Sequence, residues 1–274
     1  DKSGRRATGV TVAHEGMEET YHAETIVVAC GAINSAALLL RSANEKHPGG
    51  LANSSGQVGR NLMIHNNGVV LAYSAKPNPS TFQKAILIPD FYHGADDSPY
   101  PLGSIQNMGK ADPLLLADAV GDDLGKDGKD AAHFAGHIVD FFITAEDLPK
   151  QENRVTVDAA GNIQLHYTQN NLEAYRRLRD KLIGIMDRVA EGEGVGGTTR
   201  YYGFKLGIGG VSHQNGTCRF GHDPKTSVLD VNCKAHDLDN LYVVDTSFFP
   251  SSGAVNPSLT AMANALRISE LLSK

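Results

Sequence analysis

The 274-residue sequence has no tryptophan and only three cysteines. Cys30, Cys218 and Cys233 cannot all pair within one chain and form no CxxC or zinc-type spacing, so no disulfide framework is expected. Free thiols fit a reducing compartment, and the expected location is cytoplasmic. Long apolar runs are also missing. The stretches 26–29 and 36–40 are far short of the ~20 residues that span a bilayer, so no membrane helix is expected. Positive charge is not in excess: 25 Lys and Arg against 31 Asp and Glu leave a net charge of −6. Such a balance would not neutralise a row of phosphates, which argues against a nucleic-acid partner. What the chain does have is glycine, 29 residues against a usual ~7%. That excess implies many tight turns and close backbone approaches.

The pattern changes twice along the chain. In residues 1–65, Ala7, Val10 and Val12 alternate with polar residues before Gly16 and a returning run, which predicts a short antiparallel hairpin. The β-branched run 23–30 predicts a buried, parallel strand that includes Cys30. It stops at Gly31-Ala32, and Asn34 and Ser35 open a predicted helix through Leu40 to Arg41. Strand, glycine turn and helix form the element of a doubly wound nucleotide-binding sheet. Residues 66–206 carry short β-type runs at 68–74, 82–91, 137–144, 154–158 and 163–167, which predict an antiparallel sheet. Within them, the Asp- and Gly-rich stretch 111–132 reads as a loop or lid. Residues 170–190 predict an amphipathic helix on Leu172, Tyr175, Leu178, Leu182, Ile185 and Val189, with Arg176, Arg177, Arg179 and Lys181 on a solvated face.

Residues 207–274 return to the first pattern. A buried strand over 240–245 ends in Asp245. Asn256 as N-cap and Pro257 as first helical residue then open a final helix through Leu259, Met262, Ala263, Leu266 and Leu271. The fold class expected is therefore α/β plus α+β, divided at 1–65, 66–206 and 207–274. Two motifs are set aside. The GxGxxG letters at 192–197 follow a helix rather than a strand. His133 and His137 stand four apart in β-like sequence without a zinc protease's glutamate, so no metal site is expected.

The chemistry concentrates in two polar, glycine-rich segments, 211–221 around His213 and 245–260 from Asp245 to Thr260. An imidazole titrates near ~6.5, so His213 can serve as a neutral general base. An acid at the end of a buried strand can accept hydrogen bonds from ribose or ribityl hydroxyls, and a helix N-terminus favours negative charge. Taken singly, the plainer readings are a satisfied loop histidine, a turn-forming aspartate and a capping asparagine.

Taken together, the strings ETIVVACGAINSAALLLRS, GQVGRNLMIHN, TAEDLPKQENRVT, SHQNGTCRFGHDPKTSVLD and NLYVVDTSFFPSSGAVNPSLTAMANALRISELL resemble the C-terminal half of the glucose–methanol–choline flavoprotein oxidoreductases. The resemblance implies part of a Rossmann-like FAD-binding domain with an antiparallel-sheet substrate-binding domain. It places His213 and Asn256 at the flavin as the catalytic pair. Asp245 and Thr246 match the FAD chain, Pro257 and Thr260 the isoalloxazine ring, and Gly31, Ala32 and Asn34 the turn near the adenosine half. Asn61 and His65 fall in the loop that lies near the cofactor in relatives. The implied reaction is FAD-dependent oxidation of an alcohol, by hydride transfer to flavin N5 with His213 as base. The substrate implied is a secondary hydroxyl of a pyranose or glycoside. The family's N-terminal GxGxxG unit has no counterpart in these residues, so a further FAD-binding segment or companion chain is expected as partner. The alternative reading is a catalytically inert fragment that acts only as a scaffold.

Overall fold

The computed structural model describes residues 1–81, 84–126, 130–191 and 198–274. Its first hairpin, β1 (Gly9–His14) and β2 (Met17–His22), turns on Glu15 and Gly16, both at positive φ as a two-residue type I′ turn requires. Next, β3 (Ile26–Val28) pairs in parallel with the strand Leu241–Val243. The burial expected along this run is only half met. Ile26 and Val28 are buried, but Val27 is 47% exposed and Cys30 lies exposed beyond the strand end. A two-stranded sheet packs one face on the core, and nothing among the described residues covers the other. Gly31, at φ +82, then turns the chain so sharply that α1 (Ala32–Arg41) starts two residues before the predicted Asn34. It buries Ala36, Ala37 and Leu39.

The middle of the chain builds the main sheet. β4 (Asn66–Ser74), β5 (Leu87–Ile88) and β6 (Ser104–Asn107) precede α2 (Pro113–Lys126), α3 (Ala131–Ala135) and β7 (Ile138–Ala145). A separate hairpin, β8 (Arg154–Val157) and β9 (Ile163–His166), is followed by α4 (Leu172–Glu191) and β10 (Thr198–Lys205). The five-stranded sheet is antiparallel, in the order β10-β4-β7-β6-β5. Both faces of β4 are buried, and its residues alternate between two cores. Val70 and Ala72 pack with Tyr175, Leu178 and Leu182 of α4. Leu71 and Tyr73 pack with Leu116, Val120, Leu124 and Phe134 of α2 and α3.

Three expectations are corrected here. The predicted loop or lid at 111–132 is largely helical, because Leu116, Val120 and Leu124 repeat every four residues and cover the sheet. His133 lies in α3, not in a strand, and stacks on His137 at 4.2 Å. Of the predicted strand 82–91 only Leu87–Ile88 pairs, and residues 82, 83, 127–129 and the GxGxxG letters at 192–197 lie outside the described residues. The cation run on α4 is solvated as expected, pairing with Glu173, Asp180 and Asp97.

The chain ends with β11 (Leu241–Val243), the short 3-10 turn Thr246–Phe248 and α5 (Ser258–Leu272). A third core joins α1, β3 and β11 to Leu62, Ile64 and Ile268, and the β8–β9 hairpin adds Val155 to it. No helix among the described residues is long and apolar enough to cross a membrane. The sheet and α4 meet so closely that a methyl group on Gly68 would lie 2.1 Å from the Tyr175 hydroxyl. Gly68→Ala is expected to cost about 1–3 kcal/mol, read as a lower urea midpoint with unchanged slope. A midpoint equal to wild type would contradict this packing.

Candidate active site

Asp245 sits where β11 ends, and both its oxygens are engaged. Oδ2 accepts from the Gly31 N–H at 3.0 Å and from the Ser35 hydroxyl. Oδ1 accepts from the Ser247 N–H at 2.8 Å and from the Ser247 hydroxyl. The carboxylate therefore fastens the turn into α1 to the start of the 245–257 loop. Neighbouring hydroxyls extend the seam. Thr217 donates to the Ala32 carbonyl at 2.6 Å, and Thr246 donates to the Gln214 carbonyl at 2.8 Å. Gly216, at φ +89, passes so near the preceding loop that a Cβ would lie 2.5 Å from the Asn61 carbonyl oxygen. Met63 and Asn215 exchange backbone hydrogen bonds at 3.0 Å beside it. The Gly-Thr following His213 is thus explained by packing before any ligand is considered.

The loop 57–65 delivers His65. Asn61, buried and at φ +62, donates to Gln57 at 3.3 Å. The Ile64 N–H donates to buried Asp147 at 3.0 Å, and the Tyr167 hydroxyl donates to the same oxygen at 2.7 Å. Burial raises the Asp147 carboxyl above the usual carboxylate range, against the pull of these donors. His65 follows, buried and at φ +75, with its ring wedged between two partners. Nδ1 lies 2.9 Å from Nδ1 of His213, and Nε2 lies 3.0 Å from the Ser252 carbonyl oxygen. The Ser252 hydroxyl in turn donates to the Asp147 carbonyl at 3.0 Å. Burial pushes the His65 imidazole from 6.5 down to about 4. Half-buried His213 is also lowered, by burial first and then by the charge of Lys84.

One face of the sheet receives both segments. Paired residues of an antiparallel ladder share a face, so Asn67, Thr144 and Ser104 form one row on the register, and Phe204, Val69, Phe142 and Gln106 form the next. Asn67 stands 3.4 Å from His213 Nδ1. Ser104 donates to the Ala254 carbonyl at 2.6 Å, and the Gln106 amide donates to Asn256 Oδ1 at 3.2 Å. His213 and Asn256 thus meet adjacent rows of the same face, with half-buried Phe204, Val69 and Phe142 in the second row. Asn256 is not the expected N-cap. Gln106 holds its oxygen, and Pro257 takes the N-cap position of α5, which has no side-chain cap. Thr260 is exposed and Pro257 buried, and both line a cavity of about 300 Å³ with Phe249 and Gly253. Asn34 is exposed on the first turn of α1.

The structure therefore brings Gly31 and Asp245 together, joins Ala32 and Thr246 to the 213–217 segment, and joins His65 to His213. It brings in four residues the sequence reading passed over: Asn67, Gln106, Asp147 and Ser252. The polar pair Asn66-Asn67 at the start of an apolar strand was a usable signal. Gln106 and Ser252 carried none. No cluster of metal-ligating side chains occurs among the described residues.

These elements define a mixed α/β protein with an antiparallel sheet over a histidine-bearing loop site. The chain belongs to the GMC oxidoreductase family, whose models match residues 1–67 and 149–265. Proteins of this family related to it are FAD-dependent oxidoreductases of CH–OH groups. The chain is 32% identical to a 6'''-hydroxyparomomycin C oxidase of Streptomyces lividus, over 100% of this chain and 49% of the relative. It is 32% identical to a paromamine 6'-oxidase of Streptomyces fradiae, over 95% of this chain and 48% of that one. Pyridoxine 4-oxidase from Mesorbium loti shares the fold, with a TM-score of 0.63 at 21% identity, over 97% of this chain and 55% of that structure. The chain spans about half the length of the curated relatives it matches.

Buried neutral His65 carries a stability consequence. The unfolded chain binds a proton there near 6.5 and the folded chain near 4, so stability is lost as pH falls through that window. His65→Asn suits the positive φ and removes the titration. The stability of wild type relative to His65→Asn is expected to fall on the order of 3 kcal/mol from about pH 6.5 to about pH 4. Denaturant titrations across pH that keep a constant gap would contradict the buried, neutral ring.

Proposed function

We propose that this chain supplies the substrate sheet and the catalytic pair of an FAD-dependent alcohol oxidoreductase. Residues 1–65 and 207–274 form part of a Rossmann-like FAD-binding domain, and 66–206 form the substrate-binding domain. The observation that carries this reading is the placement of His213 and Asn256 on adjacent rows of one sheet face, with Phe204, Val69 and Phe142 alongside.

The residues present fit the cofactor. A Cβ at Gly31 would point into open space, and α1 begins there with no side-chain cap and no acid in its first turn. Its free N–H groups suit phosphate or ribose oxygens, so Gly31, Ala32 and Asn34 would hold the adenosine half. The cavity at Pro257 and Thr260 would take the ring end. Asp245 and Thr246 would act by holding the turn that meets the chain between, and Asn61 and His65 by shaping the loop beside it. Bound FAD supplies the acceptor for the hydrogen and electron pair that leave the substrate carbon.

The protein side of the reaction follows from its own atoms. His213, kept neutral by burial, takes the hydroxyl proton as the C–H bond breaks. Gln106 occupies the Asn256 oxygen, which leaves the Asn256 N–H groups to donate to the substrate oxygen. Phe204, Val69 and Phe142 offer an apolar surface for a sugar ring. The aminoglycoside oxidases among its relatives support a hydroxyl of a sugar or glycoside as the substrate. A further FAD-binding segment, in the same polypeptide or a companion chain, would cover the apolar stripe of α5. Leu259, Met262 and Leu266 stand there 74%, 58% and 69% exposed.

Stopped-flow reduction of the FAD-loaded protein by sugar alcohols tests the reading. His213→Ala is expected to slow flavin reduction about 10²- to 10⁴-fold. Reduction at the wild-type rate would overturn the base assignment, and a purified protein without a flavin absorbance band would overturn the cofactor assignment.

A further inference from the structure

We infer that His65 is a positioning residue that fixes the tautomer of His213, keeping hydrogen on Nδ1 and leaving Nε2 bare to receive a proton. The inference rests on the reading of His213 as base and specifies which of its nitrogens acts. A carbonyl oxygen only accepts, so His65 Nε2, 3.0 Å from the Ser252 oxygen, carries hydrogen. A neutral imidazole has one N–H, so His65 Nδ1 is a bare acceptor. His65 is 2% exposed and neither of its ring nitrogens is hydrogen-bonded to a carboxylate, which leaves no support for a charged ring. Two bare nitrogens would repel at 2.9 Å, and His213 must therefore donate from Nδ1.

Asn67 faces the same nitrogen. Its carboxamide nitrogen stands 3.4 Å from the same His213 Nδ1, while its buried oxygen has no hydrogen-bond partner among the described residues. With Nδ1 protonated, the amide turns its oxygen towards the ring as a second and longer contact at 3.4 Å, weaker than that of His65 at 2.9 Å. The two rings cross at 80° with centroids 5.0 Å apart, so the contact also sets the direction of the His213 ring. When substrate gives its hydroxyl proton to Nε2, His213 becomes imidazolium. Its Nδ1–H stays bonded to His65, and the carbonyl of Ser252 continues to orient His65. The ordering runs Asp147 to Ser252 to His65 to His213.

The test is a two-bond ¹H–¹⁵N spectrum of the protein with ring-labelled histidine, assigned by His213→Ala. Neutral His213 is expected to show the Nδ1–H pattern in wild type. The pattern should persist in His65→Asn, whose Oδ1 replaces the ring acceptor, and should give way to a mixture with Nε2–H in His65→Leu. An Nε2–H pattern for wild-type His213, or an unchanged Nδ1–H pattern in His65→Leu, would overturn the inference. If His65→Leu does not fold, the wild-type and His65→Asn spectra still decide. These spectra need no substrate. A His213→Ala protein that still reduced flavin normally would remove the base role and leave the tautomer assignment standing.

Discussion

One carboxylate holds the two halves of the site in register. Asp245 is bonded to Gly31 and Ser35, more than 200 positions earlier, and to Ser247 just after it. The parallel pair β3–β11 is only three residues long on each side, too short to set geometry by ladder bonds alone. The four donors on Asp245 do that instead. They place the start of α1 beside the loop that carries Ser252 and Asn256. Removing the charge would leave two N–H donors and two hydroxyls competing for water at a part-buried junction.

From that junction the order passes to the sheet. Ser104 and Gln106 grip the loop at Ala254 and Asn256, while Asn67 and His65 grip His213. The strands thus present a polar row beside one that is apolar except for Gln106, which suits a polyhydroxylated ring with one hydroxyl singled out. Burial works in the same direction. It holds His65 neutral, and a neutral His65 can accept the hydrogen of His213. The loops that carry His65, His213 and Asn256 are irregular, but they are tied by hydrogen bonds to one another and to the sheet.

The local parts of this arrangement were legible in the sequence. Gly16 marked a hairpin, the runs 154–158 and 163–167 marked two strands, and the spacing of Leu178 and Leu182 marked α4, because turns and periodicity depend on neighbours in the chain. The α2 and α3 helices were hidden by Asp and Gly, although Leu116, Val120 and Leu124 already held the helical period. Asn256 carried the signature of an N-cap, yet Gln106, 150 positions away, claims its oxygen. The histidine pair joins positions 65 and 213, and no spacing rule connects residues that far apart. Family resemblance pointed to both histidines as separate site residues. Their contact, and what it does to the ring protons, required coordinates.

The central claim is that a sugar hydroxyl is delivered between His213 and Asn256 on the Phe204–Val69–Phe142 row. A crystal structure of the FAD-loaded protein with a non-oxidisable sugar analogue tests it most directly. The account predicts the reacting hydroxyl within hydrogen-bond distance of His213 Nε2 and the Asn256 amide, with the sugar ring against Phe142. An analogue seated away from both side chains, or bound to Nδ1 with the His65 contact broken, would contradict it.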